Sequence, residues 1–149
     1  MSDDYASHLR VLKALLRAEH PKKVLEYGGG EHSTTAFLEH PSVELLVSYE
    51  IDDKWRDKIR AKHPKERRLE FWYSKKLWPM GFDLIFIDDG KETDQRLETI
   101  EWVLSRPHPT VVIHDAQVPE YQQAIGRLTD DFTIFPTDPD TAVIGRCEY

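Results

Sequence analysis

The feature that most constrains the fold is a series of short apolar runs, each ending on an acid or a glycine and each followed by an amphipathic stretch. Val24-Leu25-Glu26-Tyr27 runs into Gly28-Gly29-Gly30, Leu45 to Tyr49 ends on Glu50, and Phe82-Asp83-Leu84-Ile85-Phe86-Ile87 ends on Asp88-Asp89-Gly90. Thr110 to Ile113 ends on His114-Asp115, and Leu69 to Tyr73 supplies one further run. Runs with so little polar alternation suit strands buried on both faces, which is the condition of a parallel sheet covered by helices on each side. Between them the apolar spacing is helical. Leu9, Leu12, Leu15 and Leu16 predict a helix from about Asp4 to Glu19, stopped by Pro21. Ser33-Thr34-Thr35 is expected to cap a short helix through Ala36, Phe37 and Leu38. Asp52 and Asp53 open a helix containing Trp55 and Ile59, Leu97 to Leu104 forms another, and Pro119 to Leu128 a last one. Phe132 to Phe135 and Ala142 to Gly145, joined by Thr137-Asp138-Pro139-Asp140, predict a terminal antiparallel hairpin. The expected fold class is α/β: a doubly wound, mostly parallel, Rossmann-like sheet with helices on both faces and a C-terminal antiparallel hairpin.

A chain of 149 residues is expected to make a single domain, residues 1–149. Its formal charge of −7 disfavours non-specific attraction to nucleic acid or anionic lipid, so no nucleic-acid partner is expected. No apolar run approaches the ~18 residues of a membrane span, and the start lacks a signal-peptide pattern, so a cytoplasmic protein is expected. Cys147 is the only cysteine and has no partner for an internal disulfide.

In doubly wound sheets ligands sit beyond the carboxyl ends of the strands, at the point where the strand order reverses. The glycines after Tyr27 allow a close backbone approach there. A dinucleotide fingerprint G-x-G-x-x-G starting at Gly28 requires glycine at position 33, where Ser33 stands, and Glu31 adds an anion at the helix start. The loop therefore suits a ligand without phosphates better than a pyrophosphate. Glu50 follows Glu26 by 50 − 26 = 24 residues, near the ~20-residue offset at which an acid takes ribose hydroxyls in such folds.

With the run ending at Asp88, these residues resemble the class I S-adenosylmethionine-dependent methyltransferases over roughly Lys22 to Asp115. The resemblance implies S-adenosyl-L-methionine as cofactor. It implies a cofactor site from Glu26, Tyr27, Gly28, Gly29, Gly30 and Ser33, with Glu50 and Ile51 at the ribose and adenine end and Asp88 beyond. The stretch from Phe82 to Lys91, followed by Val112-Ile113-His114-Asp115, is most similar to small-molecule O-methyltransferases of the catechol type. In those enzymes acids ending the fourth and fifth strands bind a divalent metal, and a lysine after the fourth activates the acceptor hydroxyl. Asp88, Asp115 and Lys91 match these positions. Gly90 stands where a further Asp is frequent and Ala116 where a metal-binding Asn is usual, so no metal is assigned.

The activity this implies is methyl transfer to a hydroxyl or other nucleophile of a small molecule. Asp115 and His114 are the candidate base, and Lys91 could hold an acceptor oxyanion. Two rivals come from other classes: a nucleotide-binding Rossmann enzyme, and a non-catalytic partner subunit that keeps the cofactor fold. The chain lacks a lid insertion, so a homo-oligomer is expected. Plainer readings cover the remaining conspicuous residues. Trp55 and Trp102 are expected to pack, at least one ring of Phe71-Trp72-Tyr73 enters the core, and Lys75-Lys76 is a solvated pair.

Overall fold

A computed structural model describes residues 7–72, 81–90, 92–137 and 139–148. Helix α1 (Ser7–Glu19) precedes β1 (Lys23–Tyr27), and α2 (Glu31–Glu39), β2 (Leu45–Tyr49) and α3 (Asp53–Lys62) follow. After β3 (Leu69–Trp72) come β4 (Leu84–Ile87), α4 (Thr93–Leu104), β5 (Thr110–His114) and α5 (Pro119–Leu128), and β6 (Phe132–Phe135) and β7 (Thr141–Ile144) end the series. Among the described residues seven strands form one sheet in the order β3-β2-β1-β4-β5-β7-β6. The first five are parallel, and β7 pairs antiparallel with both β5 and β6. The doubly wound sheet with its terminal hairpin is thus present, and the order reverses between β1 and β4.

Period-two alternation sends each strand's side chains to two cores. Val24, Leu46, Leu69, Leu84, Phe86 and Val112 face α1, α2 and α3, meeting Leu12, Leu16, Phe37 and Ile59. Leu25, Val47, Ile85, Ile87, Val111 and Ile113 face α4 and α5, meeting Ile100, Val103, Leu104 and Ile125. All four residues of β4 are fully buried, and burial of each such side chain contributes about 1.5–3 kcal/mol. The central strand is thus packed on both faces beneath whatever follows Ile87.

Most boundaries fall where the sequence places them, and the differences have local causes. His20 takes a left-handed φ of 48° and closes α1 by donating its N–H to the Leu16 carbonyl at 3.0 Å, before Pro21 can intervene. β4 begins at Leu84 rather than Phe82, because Asp83 is spent on the neighbouring strand. Its carboxylate accepts the N–H groups of Lys22 at 2.9 Å and Lys23 at 3.0 Å. Ser33-Thr34-Thr35 does not cap α2: the helix starts at Glu31 with Gly30 at its N-cap, so these hydroxyls lie inside its first turns. Asp52 caps α3 as expected, accepting from Lys54 and Trp55 backbone N–H groups. Phe71 and Trp72 enter opposite cores, while Tyr73, Lys75 and Lys76 lie outside the described residues. Among the described residues no helix is long and apolar enough to cross a membrane.

Candidate cofactor crevice and acidic cluster

At the reversal of strand order, β1 leaves the sheet through Gly28, whose φ of +86° is disallowed for most side chains. A Cβ on Gly28 would sit 2.3 Å from the Asp88 carbonyl oxygen and 2.8 Å from the Asp89 Cα. Glycine is thus demanded both by the dihedral and by the approach of the β1 exit to the β4 exit. Asp88 N–H completes that junction by donating to the Tyr27 carbonyl at 2.9 Å.

Glu26 lies beneath the loop and is fully buried. Its Oε1 accepts from Ser33 Oγ at 2.8 Å, Thr34 Oγ1 at 2.8 Å and the Gly30 N–H at 3.2 Å. The Ser33 and Thr34 hydroxyls, absent from the helix cap, are therefore bound to this acid, which ties the glycine loop to the first turn of α2. Burial pushes the Glu26 carboxyl up, the hydrogen bonds from Thr34, Ser33 and Gly30 pull it part of the way back, Asp88 adds a little, and the result is about 7. Ser48, its neighbour on β2, is also fully buried, and its hydroxyl has no hydrogen-bond partner among the described residues. It lies 2.8 Å from where a Gly29 Cβ would stand, so Gly29 too has no room for a side chain.

Glu50 stands at the exit of β2, half-buried, with Asp52 N–H donating to its Oε1 at 3.2 Å. Burial raises its carboxyl pKa, and the backbone N–H groups of Asp52 and Gly29 oppose that. Beside it Ile51 is 64% exposed, an unusual position for a large aliphatic side chain. Trp55 packs against the core as expected, but it also does something the sequence reading missed: its indole Nε1–H donates to the Gly29 carbonyl. The loop is thus fixed by Glu26 from below and by Trp55 from the side of α3.

On the β4–β5 side, the sheet brings together Asp88, His114 and Asp115, whose ligating atoms all lie within 4.8 Å of one another. His114 Nδ1 is 3.0 Å from Asp88 Oδ1 and 3.5 Å from Asp115 Oδ2. Asp115 holds a left-handed φ of 61°, uncommon for a side-chain-bearing residue and the sort of backbone found at functional sites. Arg96, from the first turn of α4, joins this cluster. Its Nη1 lies 2.6 Å from Asp115 Oδ2 and its Nη2 3.1 Å from Asp88 Oδ1. Nη1 also donates to the His114 carbonyl at 3.2 Å, and Nε donates to the Asp89 carbonyl at 2.9 Å. Burial works against the charged guanidinium, but Asp88 and Asp115 outweigh it and its pKa rises further. Asp89, which the sequence reading gave no role, is 5% exposed and accepts a 2.7 Å bond from Thr99 Oγ1.

Of the residues matched to a cofactor site, Gly28, Gly29, Gly30, Glu50, Ile51 and Asp88 therefore lie at the strand exits around the reversal. Tyr27 does not present its ring there: alternation turns it away from Glu26 into the α4–α5 core, edge-on to Tyr49 with centroids 6.1 Å apart. Glu26 and Ser33 are turned toward each other under the loop. Asp88, read on the cofactor side, and Asp115, read with His114 on the acceptor side, lie at one mouth and are joined through Arg96. Lys91 lies outside the described residues. Arg96 carried a signal in the sequence: it begins the buried stripe Arg96, Thr99, Ile100, Val103, Leu104 of α4, where a cation must find an anionic partner.

The fold has known counterparts. The methyltransferase domain of a bacterial CtHen1 protein superposes with a TM-score of 0.72 at 13% identity, over 95% of this chain and 99% of that one. The fold is that of the class I S-adenosylmethionine-dependent methyltransferases. An O-methyltransferase from Bacillus cereus, solved in complex with SAH, shares this methyltransferase fold with a TM-score of 0.65 at 19% identity, covering 91% of this chain and 79% of that one. Spermidine synthase from Thermotoga maritima shares it too, with a TM-score of 0.64 at 18% identity over 84% of this chain and 54% of that one. No known family model matches the sequence. One curated protein, a 2-C-methyl-D-erythritol 4-phosphate cytidylyltransferase from Pseudomonas fluorescens, is 39% identical over 62 residues, which is 38% of this chain. The chain spans only about a quarter of that protein's length, 26%.

Proposed function

We propose that the chain is a single-domain S-adenosylmethionine-dependent methyltransferase acting on a hydroxyl or other nucleophile of a small molecule. The observation that carries this reading is the half-buried Glu50 carboxylate beside the Gly28–Gly30 loop, next to the point between β1 and β4 where the order of the parallel strands reverses. A carboxylate there can accept from two vicinal hydroxyls, the exposed Ile51 offers an apolar surface for a base, and the glycine loop, which carries no side chains, lets a ligand come close. When bound, the cofactor supplies an electrophilic methyl on a sulfonium sulfur. The protein's work is then alignment, with Glu50 and the loop fixing one end and the cluster of Asp88, His114 and Asp115 bounding the other. Asp115 and His114 are the groups at hand to take a proton from an acceptor hydroxyl, and Lys91, three residues after Asp88 in the sequence, is the candidate to hold the resulting oxyanion.

Calorimetric titration with S-adenosylhomocysteine, S-adenosylmethionine, NAD and CTP in parallel tests the reading, the last because of the cytidylyltransferase segment. Wild type should bind the first two, and Glu50→Ala should lose about 1.5–3 kcal/mol, roughly a ten- to hundredfold weakening. Equal affinity in the variant would refute the ribose role of Glu50. Binding of CTP or NAD alone would refute the cofactor.

We also propose a homo-oligomer. Strand β6 forms one edge of the sheet and exposes Phe132 at 37% and Phe135 at 39%, apolar surface on an unpaired edge that a second copy would cover. Light scattering should give a multiple of 17.5 kDa, and a monomer mass at high concentration would refute it.

A further inference from the structure

We infer that the Arg96 guanidinium is the built-in cation of the acidic cluster, occupying the place that a divalent ion takes in catechol-type O-methyltransferases. Carboxylates ending the fourth and fifth strands, with an imidazole between them, form a ligand set of the kind that holds a metal, and here they converge within 4.8 Å. The donor set does not fit a metal as it stands. The two oxygens nearest His114 Nδ1, Asp88 Oδ1 and Asp115 Oδ2, are each in contact with a different terminal nitrogen of Arg96, at 3.1 and 2.6 Å. His114 Nδ1 is engaged with the same Asp88 oxygen at 3.0 Å. Ala116 stands where the amide ligand of those enzymes would be, and it is fully buried.

Arg96 is not placed to step aside. It is 8% exposed, its Nε is tied to the Asp89 carbonyl and its Nη1 to the His114 carbonyl, and its guanidinium lies 5.7 Å from the Tyr121 ring centroid. Both backbone acceptors sit at strand exits, so the side chain is fixed by the sheet rather than by the acids alone. A guanidinium is planar, permanently charged and forked, which lets it bridge two carboxylates as a metal would while adding one positive charge instead of two. A divalent ion brought to the same oxygens would have to displace the bridge and then sit beside the buried charge it displaced. The consequence is a cluster preset without metal, in which Arg96 is a positioning residue for Asp88, His114 and Asp115. This deepens the proposed function at its acceptor end, but its observable does not depend on that reading.

Electron paramagnetic resonance of Mn²⁺ with the full chain in excess is the test. With wild type the spectrum should remain that of the free hydrated ion, and EDTA should leave the melting temperature unchanged. In Arg96→Met the acids lose their cation, and one Mn²⁺ per chain should leave the free signal, returning to it when Asp115→Asn is added. One Mn²⁺ bound by wild type and released by Asp115→Asn would overturn the inference, as would a folded Arg96→Met that leaves Mn²⁺ free. Should Arg96→Met not fold, Arg96→Lys keeps the charge and is expected to exclude Mn²⁺; a bound ion in that variant overturns the inference equally. Titration of wild type with S-adenosylhomocysteine in the same buffer separates the two readings. Absent binding there refutes the proposed cofactor, and the Mn²⁺ result still decides the role of Arg96.

Discussion

Replacing Glu26 by glutamine should change how the fold depends on pH, and the size of the change follows from where the carboxylate sits. The folded protein holds this group at about 7 against an ordinary value of 4.5, because full burial outweighs the donors Thr34, Ser33 and Gly30. A raised folded pKa means that the native state favours the protonated acid. Its contribution is then complete below 4.5 and is lost as pH rises through about 7. At ~1.4 kcal/mol for each pH unit the displacement is worth about 3 kcal/mol. Glu26→Gln cannot ionise, so its stability relative to wild type should improve by about 3 kcal/mol between pH 4.5 and pH 8. Urea unfolding of both proteins across that range gives the difference directly. The other displaced groups do not imitate it. Glu66, held down to about 2 by its hydrogen bond from Arg68, acts with the opposite sign and only below 4.5. Glu50, whose pKa is raised by burial, and His63, whose pKa is lowered by burial, are common to both proteins and cancel. Parallel stability curves for variant and wild type would refute the account of Glu26 as a buried acid that clamps the loop in its neutral form.

Two glycines with opposite surroundings supply a paired expectation. Gly28→Ala forces a Cβ to 2.3 Å from the Asp88 carbonyl oxygen at a φ of +86°, and should cost about 3 kcal/mol or more. Gly126→Ala, in α5 with nothing within 4 Å of the added carbon, should instead stabilise by about 0.5–1 kcal/mol. Thermal melts of the two variants check both, and like-signed shifts would contradict the assignment of Gly28 to a close backbone crossing.

The elements were legible in the sequence because their signals are local. β4 is an unbroken apolar run, α3 has its Asp52 cap, and the α5 boundaries follow from Pro119 and the apolar spacing to Leu128. Candidate site residues were legible to the extent that they follow strands. What stayed hidden depends on contacts between distant segments. The Ser33 and Thr34 hydroxyls look like a helix cap unless it is known that a buried acid at position 26 lies beneath them. The resemblance brings Tyr27 into the site along with its neighbour Gly28, although alternation against Glu26 already turns its ring into the other core. Trp55 shows its apolar face in the helical pattern, but its bond to Gly29 spans 26 residues and leaves no trace in spacing. Arg96 is the instructive case, since its buried position on α4 was readable from the stripe it begins, while the identity of its partners needed the register of β4 against β5.

The charges gathered at the strand exits bear on which cofactor this fold can accept. Asp88 and Asp115 keep 29% and 30% of their side chains exposed, Glu50 is half-buried, and the Arg96 charge is already shared between the first two. The described rim of the crevice is therefore net acidic. At 4 Å in a half-exposed site, two unit charges interact by about 4 kcal/mol, attractive for a sulfonium and repulsive for a phosphate. Phosphate binders place a free helix N-terminus or a basic side chain at this turn, whereas here the first turn of α2 is turned inward on Glu26. The same sheet geometry that would admit a dinucleotide is thus charged against one. A ligand carrying a positive centre beside a ribose answers both the acids and the loop.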